Sequence, residues 1–104
     1  MKGTNGKPLV GSTMRTLFFL SLLALADDPL EPARDAFVKG EYQKAIRLAK
    51  PHVDDNPKMA WRVIGASHCF LKDQAAARSD YDKLDPEGQA FLKYVCSRNS
   101  VKIP

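Results

Sequence analysis

Residues 60–73 read AWRVIGASHCFLKD, and the spacing inside this stretch decides the fold. Trp61, Ile64, Gly65 and His68 recur at i, i+3, i+4 and i+7, which is one face of a helix. The run stops at Lys72-Asp73, a polar pair suited to a tight turn, and alanine-rich 74-QAAARSDY-81 follows. A helix with such a face is unstable alone in water and needs another element over it. Two uses of the run compete. It is a helix that presents His68 and Cys69 for chemistry, or it is one half of a stacked helical pair that performs none.

The same pattern extends in both directions. Ala45, Leu48, Ala49 and Val53 share a face with Ile46 beside it; Ala77, Tyr81 and Leu84 form another, and Phe91, Tyr94 and Val95 a third. Asp28-Pro29, Asn56-Pro57 and Asp85-Pro86 each set a short oxygen-bearing side chain before a proline. That side chain accepts from the free amides of a first helical turn, while proline has no amide to leave unpaired and a preset φ. Pro32 with Glu31 before it is an alternative start for the first helix. Gly40 in 38-VKGEY-42 suits a left-handed helix stop.

These signals predict helices near 31–39, 42–54, 58–71, 74–84 and 87–99. Pro51 falls inside the second, removes the bond to the Arg47 carbonyl, and bends that helix or ends it early. No Asn-Gly or Asp-Gly hairpin signal follows residue 26. The fold class is all-α, a short stack of antiparallel helix pairs with a C-terminal capping helix.

The start of the chain differs from the rest. Lys2, Lys7 and Arg15 are its only charges before the uncharged run 16-TLFFLSLLALA-26, and Asp27-Asp28-Pro29 comes next. A basic start, a short apolar core and Ala24-Leu25-Ala26 ahead of an acidic turn form the pattern of a secretory signal cut after Ala26. Met14 is an alternative start, and a disordered leader on a cytoplasmic protein is the alternative reading. Eleven or so apolar residues fall short of the ~20 a membrane-spanning helix needs. The expected domain is therefore 27–104, in the periplasm or secreted. Of the chain's 16 basic and 12 acidic residues, three of the basic ones lie in the leader, so the remainder is nearly neutral. Its charges are mixed along every segment rather than gathered on a basic face, which argues against nucleic acid as a partner.

Taken together, the residues resemble tetratricopeptide repeats. Trp61, Ile64 and Gly65 match that family's first-helix pattern, Ala77 and Tyr81 its second helix, and Pro86 stands near the close. Gly40, Tyr42 and Ala45 match a preceding turn and second helix, with Pro57 closing. The step from Ala45 to Ala77 is close to the family's ~34-residue period. Proline-rich 29-PLEP-32 departs from the expected aromatic start, and His68 stands where a tyrosine-like residue is usual. A fainter similarity links the chain to helical repeats that accompany bacterial serine/threonine kinases, although no phosphate loop or kinase catalytic loop is present.

The resemblance implies two repeats plus a cap, and a non-enzymatic module that holds a peptide or partner helix. The first helices of successive repeats would line the groove, with Arg34, Phe37 and Val38 from one and Arg62, Ala66, Cys69 and Phe70 from the next. On this reading the arginines fork onto ligand carboxylates and the phenylalanines supply apolar contact. The family's carboxylate-clamp asparagines are missing. Small Gly65 and Ala77 mark close helix approach, flanked by Trp61 and Tyr81. Two repeats make a marginal stack, so the second expectation is a self-associating or assembly subunit using Phe91, Tyr94, Val101 and Ile103.

Chemistry has little support. Adjacent His68 and Cys69 diverge by about 100° on a helix, so they do not form a dyad. His52, His68, Cys69 and Cys96 have no paired metal-ligand spacing, and no cofactor motif is present. Cys69 and Cys96 have two open fates: a disulfide, given an oxidising compartment, or two buried thiols. The acidic pairs Asp27-Asp28, Asp54-Asp55 and Asp80/Asp82 are expected near helix ends or on exposed faces.

Overall fold

The computed structural model describes residues 28–103. The expected leader at 1–26, its cut after Ala26 and the alternative start at Met14 lie outside the described residues. Within them every regular element is helical and no strand occurs: α1 (Glu31–Val38), α2 (Tyr42–Ala49), α3 (Pro57–Phe70), α4 (Gln74–Tyr81) and α5 (Pro86–Arg98). None is long and apolar enough to cross a membrane.

The helix starts use the expected residues in unequal ways. Asp85 caps α5, its side chain accepting from the Gly88 amide at 2.9 Å with Pro86 in the first turn. Asp73, read as a turn residue, also caps: it accepts from Ala76 N at 3.2 Å to open α4. Asn56 precedes Pro57 but makes no side-chain bond to α3. Asp28 lies upstream of the α1 cap, which is Leu30. Its Oδ1 accepts from the Leu30 amide at 3.0 Å and its Oδ2 from the Arg34 guanidinium, so it clamps the entry to α1. Pro51 ends α2 at Ala49, earlier than the expected 54, and the chain tightens into a 3-10 turn at Lys50–His52.

One closing turn occurs three times. After α1, α3 and α5 the backbone enters the left-handed region at Gly40 (φ 81°), Lys72 (φ 61°) and Ser100 (φ 62°). The following amide then bonds back across the last helical turn: Glu41 to the Ala36 carbonyl at 2.9 Å, Asp73 to His68 at 2.9 Å and Val101 to Cys96 at 2.8 Å. This satisfies carbonyls that a helix end would otherwise leave bare. The turns are so short that α2 and α4 each fold straight back onto the helix before them.

Packing follows from those turns. α1 packs on α2, α2 on α3, and α3 on both α4 and α5. The core has two clusters. The first joins α1, α2 and α3 through Leu30, Ile46, Val63, Ile64 and five buried alanines. The second joins α3, α4 and α5 through Ala77, Leu84, Leu92, Val101 and the pair Cys69 and Cys96. Trp61 is half-buried and touches both clusters, with the Lys83 ammonium 4.4 Å from its ring centre. Gly65 is small because of Leu92: a Cβ there would come within 2.9 Å of a Leu92 methyl and 3.5 Å of Asp80 Cβ. Ala77 is fully buried, whereas Tyr81, like Trp61, is only partly so. Val101 is buried too, which corrects its expected place on an exposed end with Phe91 and Tyr94.

Candidate binding groove

α1, α3 and α5 present one shared face. A cleft of about 270 Å³ opens there, lined by Arg34, Phe37 and Val38 of α1, by Met59, Arg62, Val63 and Ala66 of α3, and by Phe91 of α5. A second hollow continues it, sharing Phe37 and Phe91 and adding Phe70, Tyr94, Val95 and Arg98. Five residues singled out from the sequence, Arg34, Phe37, Val38, Arg62 and Ala66, meet in the first hollow, and Phe70 stands in the second. Cys69 is fully buried and lines neither, because it faces α5.

Part of the apolar lining is built from side chains that the core does not absorb. Val38 is 82% exposed, Tyr94 63%, Phe91 41% and Phe70 39%. Between the two hollows, Phe37 meets Tyr42 and Phe70 edge-on, each with 5.4 Å between ring centres, and Tyr42 stacks on Phe70 at 4.8 Å. Such pairs contribute ~0.5–1.5 kcal/mol beyond their burial. They hold Phe37 and Phe70 in a fixed ridge along the groove.

The arginines are arranged differently from the expectation. Arg34 binds Asp28 of its own chain. Arg62 reaches Asp85 at 3.4 Å and Glu87 at 3.8 Å, and Lys58 also approaches Asp85 at 3.7 Å. Both guanidinium groups therefore already face carboxylates, and the groove is apolar along its centre with paired charges at its margins. The Asp28 carboxyl is held below its usual range by the Arg34 guanidinium and then by the Leu30 amide. The Gly88 amide, and after it Arg62, hold Asp85 down likewise. Arg62 Nε is buried and has no protein partner.

Away from the groove, His68 and Asp80 pair across α3 and α4, with Nδ1 and Oδ2 2.5 Å apart. Asp80 is 5% exposed, which corrects its assignment to an exposed face. The imidazole satisfies a carboxylate that would otherwise be buried alone. His68 and Cys69 diverge: the first turns to α4 and the second to α5. Cys69 and Cys96 are joined as a disulfide, with Cα atoms 4.7 Å apart, within the range such a bridge requires. No three His, Cys, Asp or Glu side chains converge to hold a metal among the described residues.

The His68–Asp80 pair had a weak sequence signal. Asp80 lies one residue before Tyr81 on α4, and its polar side chain hides a core position from any hydrophobic pattern. Comparison with protein-family models, with curated proteins and with solved structures gives no match.

Proposed function

We propose that the chain is a non-enzymatic interaction module of tetratricopeptide-like design, two helix pairs and a cap, which holds a peptide or a partner helix along the α1–α3–α5 face. One observation carries this reading: Arg34, Phe37, Val38, Arg62 and Ala66, distant in sequence, share one apolar cleft. An open trough with an aromatic ridge suits side chains entering from an elongated ligand, and apolar anchors in such a site dominate binding energy. Because both arginines already have in-chain carboxylates, the ligand's affinity rests on apolar contact more than on salt bridges.

Selection from a displayed peptide library tests the proposal. Peptides recovered on the wild-type chain are re-measured on Val38→Glu and Ala66→Glu. Val38 is exposed, so its variant keeps the fold, and a loss of binding by tenfold or more supports the groove. Undiminished binding to both variants overturns it. Charge reversal of Arg34 or Arg62 is a poorer test, because each would then face Asp28 or Asp85 and disturb the fold itself.

A second reading, an assembly subunit that self-associates or docks on a larger envelope complex, draws on the exposure of Phe91 and Tyr94 on α5. Light scattering separates the two. A stable monomer that binds peptide favours the groove, and an obligate dimer dispersed by Tyr94→Glu favours assembly.

A further inference from the structure

The two halves of the groove are held together by different means. The α1–α3 side is backed by the first cluster, whose nine buried members include Leu30, Ile46, Val63 and Ile64. The α5 side is backed by the second cluster, in which two of the six buried members are the half-cystines themselves and a third is Ala77. Without the bridge, Leu92, Leu84 and Val101 are the sizeable aliphatic groups left among its buried members, with Val95 and Ile103 partly buried against them.

The bridge is also placed to act on the groove. Cys96 lies one helical turn from Leu92, which fills the space over Gly65, and α5 carries Phe91, Tyr94, Val95 and Arg98 into the groove wall. The other polar ties of α5 to the rest are part-buried or exposed, Gln89 Nε2 donating to the Tyr81 carbonyl at 3.2 Å among them. Arg62 and Lys58 reach Asp85 near its start, and the Lys72 ammonium donates to the Asn99 carbonyl at 2.7 Å past its end. Exposed ion pairs contribute little.

We propose that the Cys69–Cys96 disulfide is a redox condition on the groove: oxidised, it holds α5 in place as the third wall, and reduced, it releases α5 while α1, α2 and α3 stay folded. The reductant is a dithiol. One of its thiolates attacks a half-cystine sulfur and forms a mixed disulfide with loss of the other cysteine as thiolate. The second thiolate of the reductant then displaces the first cysteine. The reductant leaves as a cyclic disulfide, and two electrons and two protons end on Cys69 and Cys96. Both residues are fully buried, so the attack waits on a transient opening at α5, which loss of the bridge then makes lasting. The release itself stands apart from the peptide-binding reading; only its consequence for affinity rests on that reading.

Hydrogen exchange read segment by segment tests it, on the oxidised chain, the chain treated with dithiothreitol, and the Cys69→Ser/Cys96→Ser variant. The expected result is a loss of protection of at least tenfold across 86–98 in the reduced and variant forms, with 42–49 and 57–66 keeping theirs. Unchanged protection in α5 overturns the proposal. Equal loss everywhere overturns it too, because the bridge would then be a staple of the whole domain. Where α5 is released but the displayed peptides bind neither form, the groove reading fails and the redox device stands. Where α5 is released and affinity is lost with it, both stand.

Discussion

The N-terminal helix pair and the C-terminal one are built around the same turn but close by different chemistry. α1 and α2 meet across alanines, with Leu30 and Ile46 filling the gaps, and a glycine makes the turn between them. α4 and α5 meet α3 through a buried His–Asp pair and a disulfide, an aspartate caps the start of each, and a lysine makes the turn between α3 and α4. The first half relies on dense small-residue packing. The second has fewer apolar groups and compensates with specific polar and covalent links. A chain of this size buries only a modest core, and the difference shows two ways of closing the same unit when apolar surface runs short.

The comparison breaks most sharply at the disulfide. Its half-cystines are 27 residues apart in sequence, and a loop of that length stabilises by roughly 3–4 kcal/mol through the unfolded state. Replacing both cysteines with alanine is expected to lower stability by about that amount in denaturant melts, with the loss concentrated in the C-terminal half.

Trp61→Ala attacks the seam instead. The side chain is half-buried against both clusters, so the expected cost is about 3 kcal/mol, at the low end for a tryptophan truncation. Unlike the cysteine change, it should weaken both halves together. A melt in which one half alone shifts would show that the clusters are not coupled through this residue.

Smaller effects sharpen the contrast between the turns. Gly40 has open space around its missing side chain, so Gly40→Ala meets only the cost of a left-handed backbone, ~1 kcal/mol. Lys72 already bears that cost at φ 61° and offsets part of it by its bond to Asn99. Lys72→Gly should therefore change the melting temperature less than Gly40→Ala does.

The last test is acid. Asp28 in the first half and Asp85 in the second both titrate below the ordinary value of 3.8 in the folded chain. The stability each adds is complete above that value and is lost as the pH falls through the lowered, folded-state pKa. Thermal melts taken from about pH 5 down to about pH 2 should show this decline. Asp28→Asn should flatten it for α1 and Asp85→Asn for α5, read by segment-resolved exchange.

Most helix positions were legible because their punctuation is local. Proline starts and turn residues act within four or five positions, so α1, α3, α4 and α5 begin within a residue of where the sequence sets them. Pro51 was flagged as a disruption, but how early α2 ends depends on the 3-10 turn that replaces its last stretch. At the groove, the repeat resemblance pointed to Phe37, Ala66 and Phe70. It carried no information about which acids would arrive opposite Arg34 and Arg62, since those meetings depend on how helices approach. Asp80 was misplaced for a related reason. A carboxylate reads as surface unless its imidazole partner is known to lie across from it.

The closing turns have a consequence for how the chain tolerates change. Gly40 and Lys72 are 32 positions apart, while Lys72 and Ser100 are only 28 apart. The difference of four falls mainly in the connectors, since 50–56 is longer than 82–85. Spare length thus sits outside the hairpins, in a bend around Pro51 that faces solvent. Asp54 and Asp55, both exposed, are accordingly a natural place to graft a tag or reporter, far along the chain from the groove-lining wall of α5.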